Sequence, residues 1–295
     1  MKLTGLHLLL TYQCPFECPH CFVWGGPKQT GVMTLEQVGA ILAQAGELGG
    51  VEWIFFEGGE PFLYHPVLLA GARLAKQLGY QVGVVSNGYW ATGAADAEAW
   101  LAPFGGALSM LNLSSDSHHG STAPDARVEF ARAAGRRLGI PVQVIRVATP
   151  QDGQDSSLMY RGRAAEQLAP LAAGRPWEGF TRCPHEDLRE PGRVHVDPQG
   201  LVQICQGISL GNLFEVSLRE ICARHRPEAD PILGPLLEGG PAELVRRHGV
   251  AHHPSPADAC HLCYEARRSL RPHFPDVLAP GRVYGEEAER SPTGP

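Results

Sequence analysis

Short, nearly unbroken apolar runs alternate with longer stretches in which apolar residues recur every three or four positions. The runs Leu6 to Leu10, Val51 to Phe56, Gln81 to Val85, Ala107 to Leu113 and Val142 to Val147 predict strands. Val51 to Phe56 is the kind buried on both faces of a parallel sheet. Thr34 and Gln37 form a capping-box pattern ahead of a stripe at Val38, Ile41, Leu42 and Ala45, and Gly49-Gly50 ends that helix. Further helices are predicted over Pro66 to Leu78, Ala94 to Leu101, Asp125 to Leu138 and Gly162 to Leu171, with a sixth strand near Ser157 to Tyr160. Strand and helix in alternation, with short connections, predict a parallel sheet with right-handed crossovers. Six strands fall short of a closed eight-stranded barrel.

From about Gly174 the alternation stops. Val194 to Val196 and Leu201 to Cys205 flank Asp197-Pro198-Gln199-Gly200 and predict a hairpin. Gly211-Asn212-Leu213 leads toward a helix over Ser217 to Ala223, and helices follow near Pro231 to Leu237 and Pro241 to His248. The expected division is 1–175, 176–274 and an extended or disordered tail, 275–295, with disorder after Gly285.

Hydrophobic residues make up 43% of the 295, enough for a large core. The net charge of −6, without a basic block, argues against nucleic acid or an anionic membrane as the main partner. No run approaches the ~20 apolar residues of a membrane span. Met1 to Leu10 fails as a lipoprotein signal: its apolar core is about six residues against roughly 7–15, and Gln13 is not small. Eight cysteines without export imply a reducing cytoplasm.

The chemistry starts after the first strand, at Cys14-Pro-Phe-Glu-Cys18-Pro-His-Cys21-Phe22. Thiols this close, without export, point to metal ligands rather than disulfide partners. Three ligands suit an iron–sulfur cluster with one open iron; a zinc site borrowing His20, or three reduced thiols, is the alternative. Cys183, Cys205, Cys260 and Cys263 form a second group for which zinc and iron–sulfur both stay open. Loops at the carboxyl ends of parallel strands build active sites. After the second strand, Gly58 and Gly59 let backbone approach a ligand, and Glu60 offers a carboxylate to an ammonium group. Ser86 follows the third strand, and Ser115, Asp116, His118 and His119 follow the fourth. The paired histidines are either exposed loop residues or proton carriers and substrate contacts. Arg146, at the fifth strand, suits a carboxylate of a ligand or substrate, or a surface ion pair.

Cys-x3-Cys-x2-Cys before an aromatic residue, with Gly-Gly-Glu-Pro one helix and one strand later, resembles the radical S-adenosylmethionine (radical SAM) enzymes. The resemblance implies that Cys14, Cys18 and Cys21 hold three irons of a [4Fe-4S] cluster and that SAM takes the fourth. Phe22 would lie against the adenine. Gly58, Gly59 and Glu60 would bind the SAM amino group, with Ser86, Ser115 and Asp116 as further SAM contacts. The implied fold is α/β, a partial (β/α)6 TIM-type barrel with a small C-terminal α+β iron–sulfur domain. Gly162-Arg163-Ala164 resembles a helix start found after the sixth strand in many relatives. The order Cys183…Gly200-x4-Cys205…Gly211-Asn212-Leu213…Cys260-x2-Cys263 resembles the twitch domain, a shortened SPASM extension with one auxiliary [4Fe-4S] cluster. The 16 residues between Cys183 and Gly200 slightly exceed the usual pattern.

On this resemblance the chain cleaves SAM reductively to a 5′-deoxyadenosyl radical, abstracts hydrogen from substrate and passes an electron to the auxiliary cluster. It would be an oxidoreductase acting on a small molecule or peptide by oxidation or oxidative cross-linking, with flavodoxin or ferredoxin as reductant. The alternatives are a rearranging lyase of cofactor biosynthesis and, in another class, an iron–sulfur electron carrier or scaffold. Four available cysteines disfavour the lyase, and Gly-Gly-Glu-Pro disfavours the carrier. With the first cysteine at position 14, no amino-terminal peptide-recognition domain is expected, which tilts the expectation slightly toward a small molecule or a peptide delivered by a separate protein.

Overall fold

The computed structural model describes residues 1–116, 125–147 and 157–286. Its strands are β1 (Leu3–Thr11), β2 (Trp53–Gly58), β3 (Gln81–Ser86), β4 (Met110–Ser114), β5 (Val142–Ile145), β6 (Gly192–Val196), β7 (Leu201–Cys205) and β8 (Ile208–Asn212). They form one open sheet in the order β5-β4-β3-β2-β1-β6-β7-β8. β5 through β6 run parallel, and β7 and β8 add an antiparallel end.

β1 sits inside the sheet because both its edges are used, by β2 and by β6. Its side chains alternate between two faces. Leu6, Leu8 and Leu10 enter a core with Val38 and Ile41 of α1 (Leu35–Leu48) and Leu68 of α2 (His65–Gln77). Leu9 joins a second core with Leu244 and Val245 of α7 (Leu233–His248) and Leu262 of α8 (Ala259–Leu270). The capping box at Thr34 and Gln37 is present, and Asp125 caps α4 (Ala126–Leu138). α3 (Ala94–Leu101), α5 (Arg163–Gln167) and α6 (Leu218–Arg224) complete the α-helices among the described residues. No described helix is long and apolar enough to cross a membrane.

Several elements differ from the expected ones. Ser157 to Tyr160 forms no strand. The sixth parallel strand is β6, which reaches the free edge of β1 and pairs His195 with His7. The hairpin expected in a separate small domain therefore continues the main sheet. β2 is not buried on both faces: Ile54 and Phe56 are buried, while Trp53 and Phe55 are half-buried on the other side. The helix expected over Gly162 to Leu171 breaks into α5 and a 3-10 turn at Ala169–Leu171, which has Pro170 in its first turn. The two helices expected near 231–248 meet at a kink, where Gly239 and Gly240 leave helical geometry. Gly240 has φ +65°, and a Cβ there would lie 2.2 Å from the Arg182 nitrogen.

The expected tail is packed as far as residue 286. Leu278, Val283 and Tyr284 are buried in the second core, and the Tyr284 hydroxyl donates to the Gly207 carbonyl at 2.6 Å. Apolar side chains spaced among prolines and glycines supply burial that composition alone hides. The disorder expected after Gly285 falls, from residue 287, outside the described residues.

Asp197 ties β1 to the β6–β7 turn. It is fully buried and accepts hydrogen bonds from the Tyr12 hydroxyl at 3.0 Å and from the Gln199 and Leu201 amides at 2.9 and 3.0 Å. Burial outweighs these bonds and raises its carboxyl to about 6. The folded chain then holds this proton more tightly than the unfolded chain. The stabilisation is complete below an unfolded value of 3.8 and is lost as pH rises to about 6. Across that window, wild-type stability should fall relative to Asp197→Asn by about 1.4 kcal/mol per pH unit. Urea unfolding of both proteins over this range checks it; parallel pH profiles would contradict it.

Candidate active site

The cysteine loop leaves β1 at Thr11 and returns beside it. Met33 donates to the Leu10 carbonyl at 2.8 Å, Gly26 to Tyr12 at 3.3 Å and Cys14 to Gly26 at 3.1 Å. Arg163, at the start of α5, fastens the loop from the far side. Its amide donates to the Cys21 carbonyl at 2.9 Å, and its guanidinium donates to the carbonyls of Cys18 at 2.7 Å and Gly25 at 2.8 Å. Gly162 makes this approach possible: its φ is +60°, and a Cβ would lie 2.6 Å from the Phe22 Cα.

Cys14, Cys18 and Cys21 line one cavity of about 520 Å³. Burial pushes the thiols of Cys14 and Cys18 up to about 12, and the neighbouring sulfurs push the same way. N–H groups nevertheless point at sulfur: Phe16 to Cys14 at 3.4 Å, Gly25 to Cys21 at 3.2 Å and the Asn87 amide to Cys14 at 3.4 Å. Thiols crowded in low dielectric, with donors aimed at them, fit a metal that holds them as thiolates. The set suits an iron–sulfur cluster with three protein ligands.

Gly58 and Gly59 line the same cavity, and they also press against backbone. A Cβ would meet the Thr11 carbonyl oxygen at 2.3 Å from Gly58, or the Gln13 oxygen at 2.2 Å from Gly59. Gly59 and Glu60 donate their amides to the Thr11 and Gln13 carbonyls at 2.7 and 2.9 Å. The Glu60 side chain is fully buried and accepts from the Phe62 amide at 3.0 Å, the Ser86 hydroxyl at 2.9 Å and the Asn87 amide at 2.7 Å. Burial raises its carboxyl to about 7 against these bonds. This carboxylate joins the second loop to the third, and Ser86 and Asn87 line the cavity beside it.

The fourth loop divides by strand alternation. Ser114 and Asp116 line the cavity. Ser115 is buried and donates to Asp125, the cap of α4, at 3.0 Å. Ile145 and Val147 also line the cavity, whereas Arg146 between them is exposed. His118 and His119 lie outside the described residues. Phe22 lines the cavity and carries the Arg161 guanidinium 5.1 Å from its ring centroid.

The second cysteine group gathers β7, α8 and the segment before β6. Burial raises the thiols of Cys183, Cys260 and Cys263, the last to about 11, and the charge of Cys205 adds to each. Two arginines are buried with them. Arg161 donates to the Cys205 sulfur at 3.0 Å, and Arg267 donates to the Cys263 and Gln206 carbonyls at 3.3 and 3.0 Å. Buried cations need anions nearby. Glu186 lies 3.9 Å from Arg161, and four metal-bound thiolates would supply further negative charge, so the donor set fits either a closed iron–sulfur cluster or zinc. Cys222 is separate, buried on α6 in the first core.

Sequence reasoning missed His7, Glu57, His195, Asn112 and Arg161. Glu57 accepts from His7 at 3.1 Å and from His195 at 3.2 Å, and His7, Glu57 and Asn112 line the cavity. The available signal was polarity inside a buried run: His7 interrupts the apolar stretch of β1, and Asn112 that of β4.

A family model described as the Radical SAM superfamily matches residues 8–121. The crystal structure of BtrN in complex with AdoMet and 2-DOIA is similar with a TM-score of 0.55 and 16% identity, covering 90% of this chain and 93% of that one. Native anSMEcpe with bound AdoMet and Cp18Cys peptide is similar with a TM-score of 0.45 and 13% identity, over 93% and 98% of the two chains. Streptococcus suis SuiB gives 0.41 and 12%, over 80% and 68%. The matched residues contain the cysteine loop, the Gly-Gly-Glu corner and the third and fourth strand-end loops. Residues 8–121 thus match the radical SAM superfamily model, and the chain shares its open α/β fold with BtrN.

Proposed function

We propose that this chain is a radical SAM oxidoreductase with two iron–sulfur clusters, carrying out a two-electron oxidation of a small molecule or peptide. One observation carries the reading: the three thiols of the β1 loop face the same cavity as Gly58, Gly59, Ser86 and Asp116. When bound at the open iron and reduced by one electron, SAM supplies a carbon radical able to take hydrogen from an unactivated carbon.

The residues of the chain do the rest. Cys14, Cys18 and Cys21 hold the cluster, and Arg163 keeps their loop closed. Phe22 offers an aromatic face to the adenine. Gly58, Gly59, Ser86 and Asp116 offer polar backbone and side-chain groups to the methionyl and ribosyl parts. Glu60 organises these loops from behind, through Ser86 and Asn87, and Ser115 acts through the α4 cap. The apolar walls made by Leu9, Val85, Ile145 and Val147 exclude water from the reacting carbon.

Cys183, Cys205, Cys260 and Cys263 hold the second cluster. Four ligands leave no open iron for substrate, so its role is to accept an electron. Arg161 reaches from the ring of Phe22, next to Cys21, to the sulfur of Cys205. A reductant such as flavodoxin or ferredoxin in a reducing cytoplasm supplies the first electron.

Anaerobically reconstituted protein with SAM and dithionite should form 5′-deoxyadenosine, and alanine at Cys14, Cys18 or Cys21 should lower the rate by at least about 100-fold. Adding SAM should also change the electron paramagnetic resonance (EPR) spectrum of the reduced wild type. Neither product nor spectral change would overturn the proposal. Gly59→Ala forces a Cβ into the Gln13 carbonyl and should loosen the first cluster. Its iron should be lost to a mild chelator faster than wild-type iron, while the second group keeps its own; equal loss rates would contradict this.

A further inference from the structure

We propose that His7 is the proton acceptor of the reaction, with its imidazole oriented by Glu57. The inference rests on the oxidation proposed above.

His7 sits on β1 and Glu57 on β2, and both line the cavity with the three cysteines of the first group. His195 is the β6 register partner of His7. Three adjacent parallel strands therefore fix the cluster, and strands position side chains more rigidly than loops do. The His7 Nδ1 lies 3.1 Å from one oxygen of Glu57, and the His195 Nε2 lies 3.2 Å from the other. The His7 ring also stacks on Phe55, with centroids 4.8 Å apart and planes at 20°. Phe55 in turn covers Gly83, where a Cβ would lie 2.2 Å from its ring.

The electrostatics follow from these contacts. Burial alone would raise the Glu57 carboxyl, but its two imidazoles hold it well below the usual range, so it is an anion. Burial lowers His195 against the pull of Glu57, with His7 and then Arg193 adding in the same direction as burial. A carboxylate can only accept, so each imidazole presents an N–H to it. In a neutral His7 this places the proton on Nδ1 and leaves a lone pair on Nε2. A carboxylate behind an imidazole fixes the tautomer and stabilises the imidazolium that forms on proton uptake. His195 occupies the second oxygen of Glu57 and holds the carboxylate in place.

The oxidation needs such an acceptor. With SAM bound, a carbon bearing a hydroxyl or amine would give up its C–H hydrogen as an atom to the adenosyl radical. The O–H or N–H bond would then break as a C=O or C=N double bond forms. His7 Nε2 would take the proton, and an oxidised iron–sulfur cluster held by the second cysteine group would take the remaining electron. The substrate class is thus an alcohol or amine whose heteroatom can reach His7. Glu57 is a positioning residue in this scheme.

Histidine-selective ¹⁵N NMR on oxidised, reconstituted enzyme at neutral pH tests the arrangement without a substrate. His7→Gln assigns the signal. The expected result is His7 protonated at Nδ1 and bare at Nε2, with at least a tenfold loss of that tautomer preference in Glu57→Gln. A His7 protonated at Nε2, or a preference unmoved in Glu57→Gln, would overturn the proposal. Diethyl pyrocarbonate mapping of the wild type needs no variant: His7 should be acylated while buried His195 is spared. A His7 that stays unmodified after the surface histidines have reacted would also overturn it. Formation of 5′-deoxyadenosine is measured on the same preparation. Cleavage with the wrong tautomer removes the proton acceptor alone, and the right tautomer without cleavage removes the radical reading.

Discussion

The contact on which the site depends is between two stretches of backbone. The Gly58-Gly59-Glu60 corner at the end of β2 lies directly on residues 11–13 at the end of β1, with two amide-to-carbonyl bonds and no room for a Cβ at either glycine. This contact sets the cysteine loop against the second and third strand-end loops. Glu60 extends the same constraint to Ser86 and Asn87, and Asn87 returns to the Cys14 sulfur. A chain of bonds therefore runs from β1 through β2 and β3 and back to the first thiol. From the opposite side, Arg163 closes the loop by donating to three of its carbonyls.

The second cysteine group is built onto the same strand. β1 pairs with β6 on the edge that the barrel leaves open, and the hairpin that carries Cys205 follows from β6. The cavity wall, part of the second core and Cys205 of the second thiol group thus share one sheet. Two buried arginines sit where the halves meet. Arg161 spans Phe22 and Cys205, and Arg267 lies between the α8 cysteines and the packed segment at Tyr284. Glu186 lies 3.9 Å from Arg161, and negative charge at the thiols would balance the rest, which links the packing of this region to the chemistry proposed for it.

Much of this was legible in the sequence, and the exceptions have physical causes. The apolar runs located β1 to β5, because strands packed against helices on one face must be apolar there. The cysteine spacing and Gly-Gly-Glu-Pro announced the cavity, because both need residue types that few other settings require. Val194 to Val196 was read as a hairpin strand, but its place as the sixth parallel strand was missed because its partner, β1, is distant in the chain. Ser115 and Arg146 were read one position out of phase, since only the pleat decides which neighbour faces inward. Glu60 looked like a ligand for an ammonium group, but its oxygens are taken by backbone and by Ser86. His7 and Glu57 were passed over because each ends up beside the other only through strand register.

The central claim is that two distinct thiol groups on one sheet each hold an iron–sulfur cluster. Iron and acid-labile sulfide per chain, counted with Mössbauer spectra on anaerobically reconstituted protein, test it most directly. The account predicts about eight irons in the wild type. It also predicts about four, all in a cubane, both when Cys14, Cys18 and Cys21 are replaced together and when Cys205, Cys260 and Cys263 are. A wild type with about four irons and one zinc, or a loss of all iron on removing either group, would contradict it.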